Sequence, residues 1–214
     1  MKLSDINIRD PFVLLSDDKY YMYGTRGHET WTERSNGFDV YVSDDLENWS
    51  EPIECFNSEK YNMNSNVNWA PEVHKYTYNG ETAYYMLATF TQAGTTNQQA
   101  SAILKATNPL GPFLPWSDGP ITPAGHSCLD ATLYVENGTP YLIYAHEWQC
   151  ACRNYKGYGS MEYIQLSDDL KSAVGQSKQL FTSSDLTSFW EQLFGTQASN
   201  VTDGPWVYTN RDGQ

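Results

Sequence analysis

Runs of alternating apolar and polar residues, each broken by a tight turn, recur along this chain. Phe12-Val13-Leu14 passes through Asp17-Asp18 into Tyr20-Tyr21-Met22-Tyr23. Val73-His74 passes through Asn79-Gly80 into Ala83-Tyr84-Tyr85-Met86-Leu87. Thr132-Leu133-Tyr134 passes through Asn137-Gly138 into Tyr141-Leu142-Ile143-Tyr144. β-Branched and aromatic residues on both sides of an Asn-Gly pair are a strong short-range hairpin signal. A third strand is predicted at Phe38 to Ser43, Ala100 to Ala106 and Met161 to Leu166. Each runs into a matching corner: Ser43-Asp44-Asp45-Leu46, Thr107-Asn108-Pro109-Leu110 and Ser167-Asp168-Asp169-Leu170. A short fourth strand fits Pro52 to Phe56 and Lys178 to Phe181.

The pattern is therefore a repeat, with unit starts at Asp10, Ala70, Asp130 and Asp203. Four strands in about 60 residues describe a propeller blade, so the predicted class is all-β and the architecture a β-propeller. The expected organisation is one domain over 1–214, with blades at about 8–57, 68–123 and 127–182, a connector at 183–200, and the start of a fourth blade at 201–214. Within the connector, Ser188-Phe189-Trp190-Glu191 has capping-box spacing and Gly195 can end a turn, which predicts a short helix.

Composition narrows the partners. Acidic residues outnumber basic ones 26 to 13, giving a net charge of −13. Such a surface repels phosphate backbones and anionic lipid, so nucleic acid and membrane are not expected partners. Charged residues make up only 18% and aromatic ones 14%, which fits an ordered β-rich fold and a neutral partner with flat apolar faces, such as a sugar. No apolar run reaches membrane-spanning length, and Met1-Lys2-Leu3-Ser4-Asp5 does not resemble a signal peptide, so a cytoplasmic location is expected. Cys55, Cys128, Cys150 and Cys152 have no framework spacing and read as free thiols. The histidines His28, His74, His126 and His146 lack metal-ligand spacing, so no catalytic metal is expected.

Equivalent ends of innermost propeller strands converge around the axis. Three of the four unit starts are aspartates, a residue disfavoured in strands, which predicts a ring formed by Asp10, Asp130 and Asp203. Converging carboxyls are what glycoside hydrolysis requires: one activates water and one protonates the leaving oxygen. A further negative group beside the acid keeps it protonated.

The motifs Ile8-Arg9-Asp10-Pro11, Phe38-Asp39-Val40-Tyr41, Ser43 to Trp49, Trp69-Ala70-Pro71-Glu72-Val73, Cys128 to Tyr134 and Val201-Thr202-Asp203-Gly204-Pro205-Trp206 together resemble glycoside hydrolase family 43. These are five-bladed propeller enzymes that act on arabinose- and xylose-containing saccharides. The resemblance implies an inverting mechanism. Asp10 matches the general base, Asp130 the carboxylate that orients and tunes the acid, and Asp203 the acid position, where the family usually has Glu. Because Asp is one methylene shorter, Glu147 in Ala145-His146-Glu147-Trp148 is a substitute donor. Trp69, Glu72, Arg9 and Trp148 are candidates for binding the sugar, and Tyr155 and Tyr158 share the loop of Trp148.

The resemblance implies no required cofactor, although a complete ring has room for a structural axial cation such as calcium. A five-bladed ring needs roughly 300 residues at this repeat length, so the 214-residue chain is expected to be C-terminally truncated. Two other readings compete. A non-catalytic carbohydrate-binding propeller would keep the aromatic residues and lack a working acid. A fructan- or sucrose-cleaving hydrolase would use Arg9-Asp10-Pro11 with Glu54-Cys55, but its Asn-Asp-Pro nucleophile segment is missing from the eight residues before Arg9.

Overall fold

A computed structural model describes residues 1–27, 34–61, 63, 67–91, 98–147, 159–186 and 201–208. Three four-stranded antiparallel sheets follow one another along the chain. The first holds β1 (Ile8–Ser16), β2 (Lys19–Arg26), β3 (Gly37–Ser43) and β4 (Ile53–Asn57). The second holds β5 (Asn68–Tyr78), β6 (Glu81–Thr91), β7 (Gln99–Ala106) and a two-residue β8 (Leu114–Pro115). The third holds β9 (Cys128–Glu136), β10 (Thr139–His146), β11 (Ser160–Leu166) and β12 (Ala173–Thr182). Strand order follows chain order in every sheet, as in propeller blades.

Local chemistry explains the hairpins. Asp17 and Asp18, Asn79 and Gly80, and Asn137 and Gly138 all adopt positive φ. Two consecutive left-handed residues make a turn whose twist matches that of the strands it joins. The corners repeat as well. Ser43 Oγ and Ser167 Oγ donate to Asp45 and Asp169 at 3.1 and 2.7 Å, and the following Leu46 and Leu170 both have positive φ. In the second sheet Asn108 Oδ1 accepts the Leu110 N–H at 2.8 Å, and Gly111 takes the positive φ one position later.

The core lies between blades. Tyr21, Tyr23, Phe38, Val40 and Phe56 of the first sheet pack against Val73, Tyr84, Met86 and Leu104 of the second. Tyr85, Leu87 and Ile103 of the second pack against Leu133, Leu142, Tyr144 and Ile164 of the third. Corners fasten the joints: Tyr23 OH donates to Pro109 O (2.7 Å), and Trp116 Nε1 donates to Asp169 O (2.7 Å).

Two expectations change. The last strand of the third sheet runs over Ala173–Thr182, well beyond the predicted four residues. Residues 201–208 form no strand. The helix expected at 188–191, Gly195, Cys150, Cys152 and the turn at 211–213 lie outside the described residues. Cys55 and Cys128 are buried, and no helix among the described residues is long and apolar enough to cross a membrane.

Candidate active site

The first strand of each sheet is interrupted at the same place. Its ladder slips between Arg9 and Phe12, between Trp69 and Glu72, and opposite Ile143–Ala145 in the third sheet. These are β-bulges, which bend a strand and re-aim its side chains. The residue at each bulge has a left-handed backbone: Asp10 (φ 51°), Ala70 (φ 46°) and Asp130 (φ 54°). Bulges two and three are tied to the preceding blade. Thr25 Oγ1 accepts the Ala70 N–H and Thr89 Oγ1 accepts the Asp130 N–H, both at 3.0 Å. The counterpart in the third sheet is Ala145, paired with Leu129 as Thr25 is with Arg9 and Thr89 with Trp69. Alanine has no hydroxyl, and the fourth segment is held differently, through Thr202 Oγ1 donating to Ser160 O at 3.0 Å. There the positive φ falls on Gly204 (50°). By backbone conformation the counterpart of Asp10 and Asp130 is thus Gly204, and Asp203 precedes it by one residue.

These segments enclose an open cavity of about 750 Å³. Its lining includes Asp10, Asp130, Asp203, Glu147, Trp69, Glu72 and Arg9. Trp148, Tyr155 and Tyr158 lie outside the described residues. Glu54 does not line the cavity; it pairs with Arg26 at 3.0 Å and with Lys60.

Electrostatics separate the carboxyls. Asp130 is pushed up to about 9, first by burial, then by its hydrogen bond to the Asp203 carboxyl and by the charges of Asp203 and Asp10. Asp130 therefore keeps its proton near neutral pH. The Gly204 N–H donates to Asp130 and partly offsets the rise. Burial also raises Asp10, opposed by Arg9, whose Nη2 lies 4.0 Å from Oδ1. Glu147 is raised by burial and by the charge of Asp203, while Ser127 Oγ lies 3.2 Å from its Oε2 and lowers it.

Glu72 is fixed from two sides. His74 Nε2 lies 2.6 Å from its Oε1, and Thr132 Oγ1 of the neighbouring blade donates to the same oxygen. His74 and Thr132 were invisible as site residues until β5 and β9 were set side by side. The signal available for His74 was its i+2 relation to Glu72, which places both on one strand face. Trp206, Phe12 and Leu129 also line the cavity. Among the described residues no three His, Cys, Asp or Glu side chains are arranged to hold a metal ion.

Glycosyl hydrolases family 43 matches the chain over residues 4–214. An endo-arabinase from Bacteroides thetaiotaomicron VPI-5482 is 31% identical, with a TM-score of 0.70 over 86% of this chain and 60% of its own. A thermostable family-43 glycoside hydrolase is 27% identical, with a TM-score of 0.68 over 82% of this chain and 53% of its own. An endo-1,4-beta-xylanase from Bacteroides thetaiotaomicron VPI-5482 is 26% identical, with a TM-score of 0.61 over 81% of this chain and 52% of its own. This chain therefore spans between half and two thirds of the length of these structures. No curated protein matches it.

Proposed function

This chain belongs to glycosyl hydrolases family 43, and from that premise we propose that it hydrolyses arabinose- or xylose-containing oligo- and polysaccharides with inversion at the anomeric carbon. The carrying observation is the convergence of Asp10, Asp130 and Asp203 on one cavity, where burial and the neighbouring Asp203 raise Asp130. Likeness to an endo-arabinase at 31% identity and to an endo-1,4-beta-xylanase at 26% supports the substrate class.

In this reading Asp10 is the general base. Arg9 favours its ionised form, so Asp10 can take a proton from water as that water attacks the anomeric carbon. Asp130 holds a proton beside Asp203, the position that protonates the leaving oxygen in this reading. Asp203 delivers it from the cavity mouth, and Asp130, the more buried partner, keeps it available near neutral pH. Glu72, held by His74 and Thr132, accepts from sugar hydroxyls, and Trp69 offers its ring as a floor. One observation favours a second donor: Glu147 lines the same cavity and is also raised, as an acid at neutral pH must be.

Arabino- and xylo-oligosaccharides with anomer-resolved NMR of the products test the reaction. The expected first product is the inverted anomer, and Asp10→Asn is expected to cost at least ~100-fold in kcat, the lower end of general-base contributions. Sugar binding without turnover would identify a carbohydrate-binding propeller instead. The donor is assigned by leaving group. The acid's variant, Asp203→Asn or Glu147→Gln, loses turnover of oligosaccharides while sparing a dinitrophenyl glycoside, whose leaving group needs no proton.

A further inference from the structure

Behind the cavity wall lies a carboxylate that this chemistry leaves unused. Glu162, on β11, is completely buried. Four side chains reach it. His146 Nδ1 (3.0 Å) and Ser160 Oγ (3.1 Å) meet Oε1, while Tyr144 OH (3.1 Å) and Ser177 Oγ meet Oε2. The sheet itself gains nothing from such a group, since apolar side chains of similar volume are as good or better in a core. Leu142, Ile164 and Leu166 fill the same sheet in that way.

The network leads to the cavity. His146 ends β10 and is bonded directly to Glu147. Its ring stacks on that of His126, with centroids 4.8 Å apart and planes 10° apart. His126 in turn precedes Ser127, which grips Glu147 twice. The Ser127 carbonyl accepts the Glu147 N–H at 2.9 Å, and Ser127 Oγ, which also meets Gln99 Oε1, lies 3.2 Å from the Glu147 carboxylate. Residues 126–127 and 146–147 thus lie face to face, histidine on histidine and serine on glutamate. Both the backbone and the carboxyl of Glu147 are fixed through this clamp, and Glu162 anchors it in the sheet.

We propose that the Glu162–His146 pair, with the His126 ring stacked on it, positions Glu147 as a working carboxyl of the carbohydrate site. The inference rests on the reading of this cavity as a glycosidase site. A group that gives a proton to a sugar oxygen, or accepts one from it, must be held within ~0.5 Å of its working geometry. A free glutamate at a strand end is not held so.

The test is a double-mutant cycle on oligosaccharide turnover, with thermal midpoints measured alongside. Glu147→Gln and Glu162→Gln are each expected to lower kcat roughly 10- to 100-fold, the scale of a small misplacement, with little change in KM. In the Glu147→Gln background, Glu162→Gln is expected to cost nothing further. Losses that multiply would assign Glu162 to the sheet alone and overturn the proposal. Should Glu162→Gln fail to fold, the same cycle with His126→Ala, at a partly exposed position, decides the question. If the wild-type protein cleaves no glycoside, the hydrolase reading falls. The clamp is then decided by the carbon-13 titration of the Glu147 carboxyl, assigned with Glu147→Gln. A midpoint that moves in Glu162→Gln or His126→Ala supports the clamp, and one unmoved in both overturns it.

Discussion

Asp10, Ala70 and Asp130 share a backbone conformation that L-residues avoid, because Cβ approaches the following carbonyl at a cost of ~1–2 kcal/mol. Aspartate offsets part of that with its short polar side chain, whereas Ala70 has no such means. Ala70→Gly is therefore expected to stabilise the fold by about 1 kcal/mol in urea unfolding, with no change in the cavity's carboxyls. The acidic residues predict a pH dependence of the opposite kind from a surface salt bridge. Asp130 titrates at about 9 when folded, against an ordinary value of 3.8, so the folded chain holds a proton that the unfolded chain releases. That stability is complete below the unfolded value and is lost as pH rises through the folded one. Burial raises Asp10 in the same sense. Asp45, Asp169 and Glu54 are lowered, so their contribution changes only below the ordinary carboxylate range. The urea midpoint should thus fall from about pH 5 to about pH 8, and Asp130→Asn, with no proton to lose, should flatten the slope.

Among the elements, hairpins and corners were legible because their chemistry is local. Asn-Gly and Asp-Asp turns and the Ser-x-Asp-Leu corners carry their hydrogen bonds within a few residues. The bulges were not. Asp10-Pro11, Ala70-Pro71 and Asp130-Ala131 mark equivalent repeat positions but no one residue pair marks a bulge, and what aligns two of them is a threonine hydroxyl on the preceding blade. At the fourth segment Ala145 stands in place of Thr25 and Thr89, and the left-handed residue is Gly204. Strand pairing also depends on close approach. A Cβ on Gly37 would lie 2.1 Å from the Phe56 carbonyl oxygen on β4, which is backbone and cannot swing away. Gly37→Ala is expected to destabilise the first sheet by ~1–3 kcal/mol, read as a lower thermal midpoint.

For the whole molecule, three blades of a five-bladed fold are packed through two inter-blade cores. The outer faces of the first and third blades carry exposed apolar residues: Val13 and Leu15 on β1 and Val174, Leu180 and Phe181 on β12. Apolar residues and strand edges facing water favour association. Sedimentation of the 214-residue chain is expected to show concentration-dependent self-association, reduced by Leu15→Lys with Leu180→Lys. The sequence by itself determined the all-β class, the repeat, the hairpin turns and the carboxyls of the site, because each depends on residues adjacent in the chain or recurring at a fixed period. Only the tertiary structure decided how those carboxyls differ. That Asp130 is raised by burial and by Asp203, that Glu72 is held by His74 and Thr132, and that Glu147 is backed by a buried Glu162–His146 pair all depend on contacts across blades or strands. Burial and charge at such contacts are set by three-dimensional packing, which no local pattern of residues records.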